Sequence, residues 1–356
     1  MQTLQILYET VYKNALFFDR KVSITDKKTI LYGPRKSGKT HLIIDHLRHY
    51  DKGSYLYIDF SDERIEPSVV AEHLPLFLKQ HPIALLVIEH FDFSFLLPNV
   101  PEIILTTPFT CKALEGFSKL TLFPLDFEEF IAFDKKHSNI EHLFNLYANH
   151  GTFPHIVQSI EPDHHRQMQA LLHLILDSSA LRIYGRFCEL QSTKVSLFQI
   201  YNYLKTLSKI SKDTLYATTS SLIDQQLLFL VEKYTQPTAA KKAYQIDFAL
   251  KNALSFKKDF LKRFENMVFL ELMKRGKGIY YEEGIDFYIP DEALAIIYVG
   301  FAPQEVIERR IQKLLPSLWA LHVKRIEVVT LSSESALAIE GMSFSISPFW
   351  EWALQL

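Results

Sequence analysis

Short apolar runs alternate with longer amphipathic stretches along the first third of the chain. Thr29-Ile30-Leu31-Tyr32, Tyr55-Leu56-Tyr57-Ile58-Asp59-Phe60, Ile83-Ala84-Leu85-Leu86-Val87-Ile88 and Glu102-Ile103-Ile104-Leu105 have the continuous hydrophobicity of strands buried on both faces. Residues 41–47, by contrast, carry apolar side chains at helical spacing. Residues 1–20 repeat that spacing at Leu4, Leu7, Tyr8, Val11, Ala15 and Leu16, which predicts an amphipathic helix packed on the sheet. Strands alternating with helices predict an α/β fold: a doubly wound parallel sheet with its ligand chemistry at the carboxyl ends of the strands.

The pattern then changes. Residues 125–180 read as helical, with Asp126 as an N-cap, Glu129 at capping-box spacing, Gly151 closing one helix and Pro154 opening the next segment. Further on, Leu197, Ile200, Tyr201, Leu204 and Leu207 share one helix face, and Leu215, Leu222, Ile223, Leu227 and Leu228 share another. A hairpin of 228–234 and 243–246 around Lys241 and Lys242 completes the outline of a winged helix. Strands at 278–281, 285–289, 293–299 and 325–330, with a helix at 303–315 crossing between the last two, outline a restriction-endonuclease-like core. The expected domains are 1–122 for nucleotide binding, 123–180 as a helical lid, 181–250 as the winged helix and 251–356 as the nuclease-like part.

Between the first strand and the first helix lies Gly33-Pro34-Arg35-Lys36-Ser37-Gly38-Lys39-Thr40, which fits the phosphate-cradling pattern G-x-x-x-x-G-K-[ST]. Strand, loop, helix is the context this motif needs. Gly33 and Gly38 let backbone N–H groups turn inward on a phosphate with no Cβ in the way. In this pattern Lys39 reaches the β- and γ-phosphates, Thr40 holds Mg²⁺ and the helix N-terminus adds partial positive charge. The stretch predicts binding of ATP with Mg²⁺.

The third strand tests catalysis. A P-loop ATPase usually ends it with an Asp that holds Mg²⁺ through water and a Glu that orients the attacking water. The matching pair here is Glu89 and His90. Glu89 offers its carboxylate one methylene further out, and His90 must be neutral to accept a proton. Asp92 stands nearby as a substitute base. The plainer reading is that Glu89 and His90 cap a strand. Thr106 or Thr107, at the end of the fourth strand, is placed like a γ-phosphate sensor, or simply satisfies backbone there.

Composition narrows the field. The hydrophobic fraction of 48% and charged fraction of 22% are ordinary for packed domains. A net charge of −2 gives no global basic field, so nucleic-acid contact requires a local patch. In a DNA-reading winged helix, Lys212, Thr214, Tyr216, Thr218 and Thr219 would enter the major groove, yet that stretch is poor in Arg and Lys. Lys257, Lys258, Lys262 and Arg263 are expected on a helix, as a phosphate-binding patch or a solvated face. Cys111 and Cys188 build neither a disulfide framework nor a zinc site. No apolar run approaches the length of a membrane span and no secretory signal opens the chain, so a soluble cytoplasmic protein with no membrane partner is expected.

Several segments form one pattern with the phosphate loop. They are Tyr57-Ile58-Asp59-Phe60-Ser61-Asp62-Glu63-Arg64-Ile65, Phe123-Pro124-Leu125-Asp126-Phe127-Glu128-Glu129-Phe130, Gly151-Thr152-Phe153-Pro154, Lys242-Ala243-Tyr244-Gln245-Ile246-Asp247 and Phe264-Glu265-Asn266-Met267-Val268-Phe269-Leu270-Glu271-Leu272. Together they resemble the predicted AAA-type ATPases of bacteria and archaea that carry a C-terminal domain of unknown function, relatives of the archaeal ATPase group of STAND-like nucleotidases. The resemblance spans nearly the whole chain. It implies an ATPase core, a helical lid, a winged helix and a terminal domain of restriction-endonuclease-like fold. Two departures from it point to weak hydrolysis. Glu89-His90 stands where the family has Asp-Glu, and Gly116-Phe117 stands where it has Gly-Arg, removing an arginine that would meet a phosphate.

In the terminal domain, Glu265 and Asp286 match two nuclease carboxylates. Ile297-Tyr298-Val299 falls where Glu-x-Lys is needed, so no nuclease chemistry is expected. Trp350 and Trp352 are expected to close a core. The sequence thus predicts a Mg–ATP-binding protein whose nucleotide state positions the later domains for an unknown protein partner. An active switch or motor ATPase, and a DNA-binding regulator or defence protein with structural ATP, stand as alternatives.

Overall fold

The early apolar runs fold as parallel strands. The computed structural model describes residues 1–12, 19–107, 114–134, 138–159, 163–274, 276–332, 334–339 and 342–355, and the chain divides into Met1–Pro124 and Leu125–Leu356. The first unit contains α1 (Gln2–Glu9), β1 (Lys28–Tyr32), α2 (Lys39–Leu47), β2 (Tyr55–Asp59), α3 (Pro67–Gln80), β3 (Leu85–Glu89), β4 (Glu102–Thr106) and β5 (Ser118–Thr121). The strands make one sheet in the order β2-β3-β4-β1-β5, and every pairing is parallel. Side chains alternate across it with period two. Leu31, Tyr55, Tyr57, Leu85 and Val87 pack with Leu42, Ile43 and Leu47 of α2. Ile30, Leu56, Ile58, Leu86 and Ile88 pack with Val70, Leu74 and Phe77 of α3. Helices therefore cover both faces, and the carboxyl ends of all five strands share one edge. This is the α/β arrangement with a parallel sheet that a P-loop core requires.

The second unit begins with α4 (Phe127–Ala132), α5 (Ile140–His150), α6 (Pro154–Val157), α7 (His164–Ile175) and α8 (Ser178–Glu189). The Asp126–Glu129 capping box forms, Gly151 closes α5 and Pro154 opens α6. Next come β6 (Thr193–Val195), α9 (Leu197–Leu207), α10 (Lys212–Asp224), β7 (Leu228–Val231), β8 (Lys241–Gln245), α11 (Leu250–Leu254) and α12 (Phe260–Met273). Strands β6, β8 and β7 form a small antiparallel sheet. The rest is β9 (Tyr280–Glu282), β10 (Ile285–Ile289), β11 (Leu294–Tyr298), α13 (Gln304–Ala320), β12 (Arg325–Thr330), β13 (Ser335–Ile339), β14 (Met342–Pro348) and α14 (Phe349–Leu354). These strands form a mixed sheet, β13-β14-β12-β11-β10-β9. Helix α13 crosses between the parallel pair β11 and β12 and buries Ile307, Ile311, Leu315 and Leu318 on one face of that sheet.

Several expectations change. Helix α1 stops at Glu9 because Thr10 is extended, while Ala15, Leu16 and Cys111 lie outside the described residues. Leu207 and Ile223 are exposed rather than core-facing. Thr219 is buried and donates to the Leu215 carbonyl, so it does not belong to an outward recognition face. Lys257 and Lys258 precede α12, and Lys262 is tied to Ser192 O and Glu265. Lys241 and Lys242 lie within β8 instead of at the hairpin turn and are ion-paired with Glu232 and Glu265. Trp352 is buried and donates to Glu327.

Buried polar groups tie the second unit together. Asp247, fully buried, accepts from Thr152 N at 2.5 Å, Thr152 Oγ1 at 2.8 Å and Ala249 N at 2.8 Å. Asn266 exchanges two hydrogen bonds with the Gln245 backbone, each 2.9 Å. Glu271 accepts from Phe127 N at 3.1 Å and Tyr147 OH at 2.9 Å. Burial pushes both Asp247 and Glu271 above the usual carboxylate range. Asp247→Ala strands its donors in the interior and is expected to lower the stability of this unit by roughly 3 kcal/mol, measured by chemical denaturation. A loss below about 1 kcal/mol would show that these bonds do not matter.

Candidate functional site

The site grows from the edge where the strands end. Strand β1 runs into the loop 33–38, and α2 starts immediately at Lys39. Gly38 is its N-cap at φ 102°, and Gly33 has φ 142°. A Cβ at Gly33 would lie 2.1 Å from the Leu122 carbonyl oxygen, so both conformation and space require glycine. Lys36 is also left-handed, at φ 65°. Ser37 is fully buried and its Oγ has no partner. Arg20 donates to Ser37 O at 2.9 Å and to Phe123 O at 2.6 Å, stapling the loop to the segment after β5.

Lys39 Nζ donates to the carbonyls of Gly33 and Pro34 at 2.8 and 2.9 Å, lying across the mouth of its own loop. Burial lowers its pKa to about 8, with Arg35 adding to the effect and Glu89 opposing it. Arg35 and Lys36 point to solvent and Pro34 is buried. Thr40, one residue into α2, donates to Glu89 Oε2 at 3.0 Å.

Glu89 is 1% exposed at the end of β3. Tyr57, on β2, donates a short hydrogen bond to its other oxygen, and Thr106 Oγ1 stands 3.5 Å from Oε2. Burial raises the Glu89 pKa, against the hydrogen bonds from Tyr57 and Thr40 that favour the ionised form. His90 follows in a left-handed conformation. Its N–H donates to Thr106 Oγ1 at 3.0 Å, and its Nδ1 lies 2.8 Å from Asp59 Oδ1.

Of the residues singled out from sequence, Gly33, Ser37, Gly38, Lys39 and Thr40 form the loop and helix start, Glu89 and Thr106 meet beside Thr40, and the His90 ring turns instead to Asp59 of β2. Thr107 is buried next to them. Asp92 is not brought in: it is exposed, and its carboxylate accepts from Ser94 N at 3.0 Å in a local turn. Sequence reasoning missed Arg20, Tyr57 and Asp59. The available signal was position, since Asp59 ends β2 directly opposite Glu89.

A second polar cluster lies in the other unit. Lys242 Nζ is 2.8 Å from Glu265 Oε1 and 3.8 Å from Asp286 Oδ1. Tyr244 OH also donates to Glu265, and Arg310 pairs with Asp286 at 2.8 Å. Burial raises Asp286 against the pull of Arg310 and Lys242. Among the described residues no group of three or more His, Cys, Asp or Glu is arranged to hold a metal, and no helix is long and apolar enough to cross a membrane.

No protein-family model matches the chain. The uncharacterized protein MJ1544 of Methanocaldococcus jannaschii is 24% identical over 98% of this chain and 96% of its own length. Among solved structures, the chain is similar in part to the Walker-type ATPase PABY2304 of Pyrococcus abyssi, with a TM-score of 0.40 and 14% identity over 64% of this chain and 91% of that one. The STAND protein PH0952 of Pyrococcus horikoshii, which has a tetratricopeptide-repeat sensor, gives a TM-score of 0.30 and 15% identity over 69% of this chain and 43% of that one. The Orc1 protein of Aeropyrum pernix, solved in complex with DNA, gives 0.31 and 14% over 71% of this chain and 89% of that one.

Proposed function

We propose that the chain binds Mg–ATP at the loop 33–40 and turns it over slowly, its nucleotide state governing the later domains. The observation that carries this reading is the Thr40–Glu89 hydrogen bond, at the carboxyl edge of a parallel sheet and directly behind a glycine-bracketed loop. The residues present fit the ligand. Gly33 leaves no room for a Cβ, Ser37 offers a buried hydroxyl without a partner, and Thr40 and Glu89 form a hard-oxygen pair of the kind Mg²⁺ prefers. When bound, Mg²⁺ would neutralise phosphate charge. Lys39 would bind the β- and γ-phosphates, the loop amides would cradle them, and Glu89 would hold Thr40 in orientation toward the ion. Thr106, whose hydroxyl serves His90 and Glu89, supports the site from below, and Thr107 adjoins it in the sensor position.

In the second unit, the small sheet with α9 and α10 supports a winged-helix reading of 181–250, and α4 to α7 support a helical lid over 123–180. The α12, β10, β11, α13, β12 succession supports a nuclease-like reading of 251–356. The Lys242 ammonium between Glu265 and Asp286 favours an inert version, because a cation on the protein itself balances those carboxylates. A DNA-contact reading has its own support: Phe198, Tyr203 and Tyr216 are exposed, and Lys212 lies 5.9 Å from the Phe198 ring centroid. Against it, Lys241 and Lys242 are ion-paired.

Lys39→Ala should abolish ATP binding in calorimetry; retained affinity would defeat the nucleotide assignment. Titration sign gives a second check. Below about pH 8 Lys39 is already charged in the free protein, so binding takes up no proton through it. Above that pH the free lysine loses its proton while the phosphates hold it charged, so affinity should fall by up to about tenfold per pH unit. Calorimetry in two buffers at pH 9 should report proton uptake, absent at pH 7.

Lys242→Met removes the cation shared by Glu265 and Asp286, leaving Lys262 on the first and Arg310 on the second, and should cost roughly 2 kcal/mol without nucleotide. Mn²⁺ should restore part of that loss in the variant and leave the second unit of the wild type unchanged; equal responses would refute the role given to Lys242. Duplex DNA binding that weakens severalfold in Lys212→Ala, with a shallower salt slope, is expected on the DNA reading. Absence of any low-salt shift would remove that reading.

A further inference from the structure

We infer that the cleft between α5, α7, α11 and α12 binds a small phosphate-bearing anion, with Arg263 and Lys258 as its ligands. The cleft lies wholly within Leu125–Leu356 and shares no residue with loop 33–40. Its volume of about 460 Å³ is in the range of small-molecule sites. Its walls are the end of α5, the middle of α11 and the starts of α7 and α12. Two carboxylates, Asp163 and Asp259, and two side-chain cations, Lys258 and Arg263, line it. Both carboxylates are already engaged. Asp163 accepts from Arg166 N at 3.1 Å and pairs with Arg166 Nε at 3.1 Å. Asp259 caps α12, accepting from Lys262 N at 3.2 Å, and lies in the field of Lys251. Among the described residues, neither Lys258 nor Arg263 has an acidic partner. Two positive charges are thus left over, which a phosphate dianion would balance.

Arg263 is the more telling of the two. Burial pushes its guanidinium below its ordinary pKa, with no carboxylate to oppose the effect. Its Nε is enclosed and bonded to nothing, and its charged centre lies 5.2 Å from the Phe260 ring centroid. A guanidinium desolvated in this way is costly without an anion, and its terminal nitrogens suit two phosphate oxygens at once. The basic run 257–263 does not act as one surface patch. Lys262 is spent on Ser192 O and Glu265, and the groups facing Arg263 come from separate elements.

Two of those groups make binding respond to protons. The rings of His150 and His164 stack with their centroids 3.9 Å apart. Burial lowers both pKa values. His164 lowers His150 further, and His165 lowers His164 against the pull of Asp163. Both rings are therefore neutral at pH 7 in the empty cleft. His164 Nδ1 is enclosed without a partner, so a charged His164 would strand an N–H there, and the proton falls to His150. Of the charged groups lining the cleft, Asp163 and Asp259 favour that proton, and Lys258 and Arg263 oppose it until an anion balances them. Affinity for a dianion should rise as pH falls below neutrality, then level off once the empty site is itself protonated.

Calorimetry on the full chain with inorganic phosphate and with glycerol 3-phosphate should detect a site present in the wild type and in Lys39→Ala alike. The tighter of the two probes identifies free phosphate or an ester as the source. Arg263→Gln should weaken binding at least about tenfold, and Lys258→Gln, at an exposed residue, about threefold. Sulfate keeps its charge across the range, so it should bind more tightly at about pH 5.5 than at about pH 7.5, and lose that preference in His150→Gln. Histidine ¹³C signals, assigned through His150→Gln and His164→Gln, should move as phosphate is added. If they stay fixed at about 10 mM phosphate, or if affinity is unchanged in both Arg263→Gln and Lys258→Gln, the site is overturned. Phosphate binding that disappears in Lys39→Ala alone would also overturn it, while leaving the loop 33–40 reading in place.

Discussion

A carboxylate almost without solvent constrains the first unit. Glu89 is held by a helix-borne hydroxyl, a tyrosine from the neighbouring strand and, more loosely, a threonine from the strand on its other side. Such a group is costly to bury unless donors surround it. Those donors come from α2, β2 and β4, so keeping Glu89 satisfied requires all three to be in register. The same requirement sets Thr40 at the helix start, directly after the glycine-bracketed loop. The helix start and the strand register are thus joined through one side chain.

The second unit answers a similar constraint with more parts. Helices α4 and α5 are bonded to Glu271 of α12 through the Phe127 amide and Tyr147, and Thr152, between α5 and α6, is bonded to Asp247, just past β8. Gly151 matters here for a concrete reason: a Cβ would come within 2.5 Å of both Asp247 carboxylate oxygens, and its φ of 80° suits glycine. Segments far apart in sequence that resembled one family pattern are therefore hydrogen-bonded partners. These buried polar pairs are reinforced by Phe349 of α14 packing among Phe127, Phe144 and Tyr147.

Local signals were legible and tertiary ones were not. The phosphate loop, the four apolar strands and the Asp126 cap declare themselves through neighbours in sequence, where glycine freedom, burial on both faces and capping act. Strands β5, β6, β13 and β14 escaped notice, β5 because Ser118-Lys119-Leu120-Thr121 is short and partly exposed. Asp59 and Tyr57 read as strand residues because their importance arises from facing Glu89 across the sheet. Arg20 was assigned to a helix that ends eleven residues earlier, although its guanidinium staples the phosphate loop. Lys242 misled in the other direction. A lysine beside a hairpin suggests a solvated wing, but an inward strand position sends it to Glu265.

An ammonium group carried by the same chain as its counter-ions behaves differently from a dissociable metal. It has no concentration, cannot be removed by a chelator and is not exchanged when cellular Mg²⁺ changes. The Glu265–Asp286 corner therefore carries its balancing charge within the chain, on Lys242, Lys262 and Arg310.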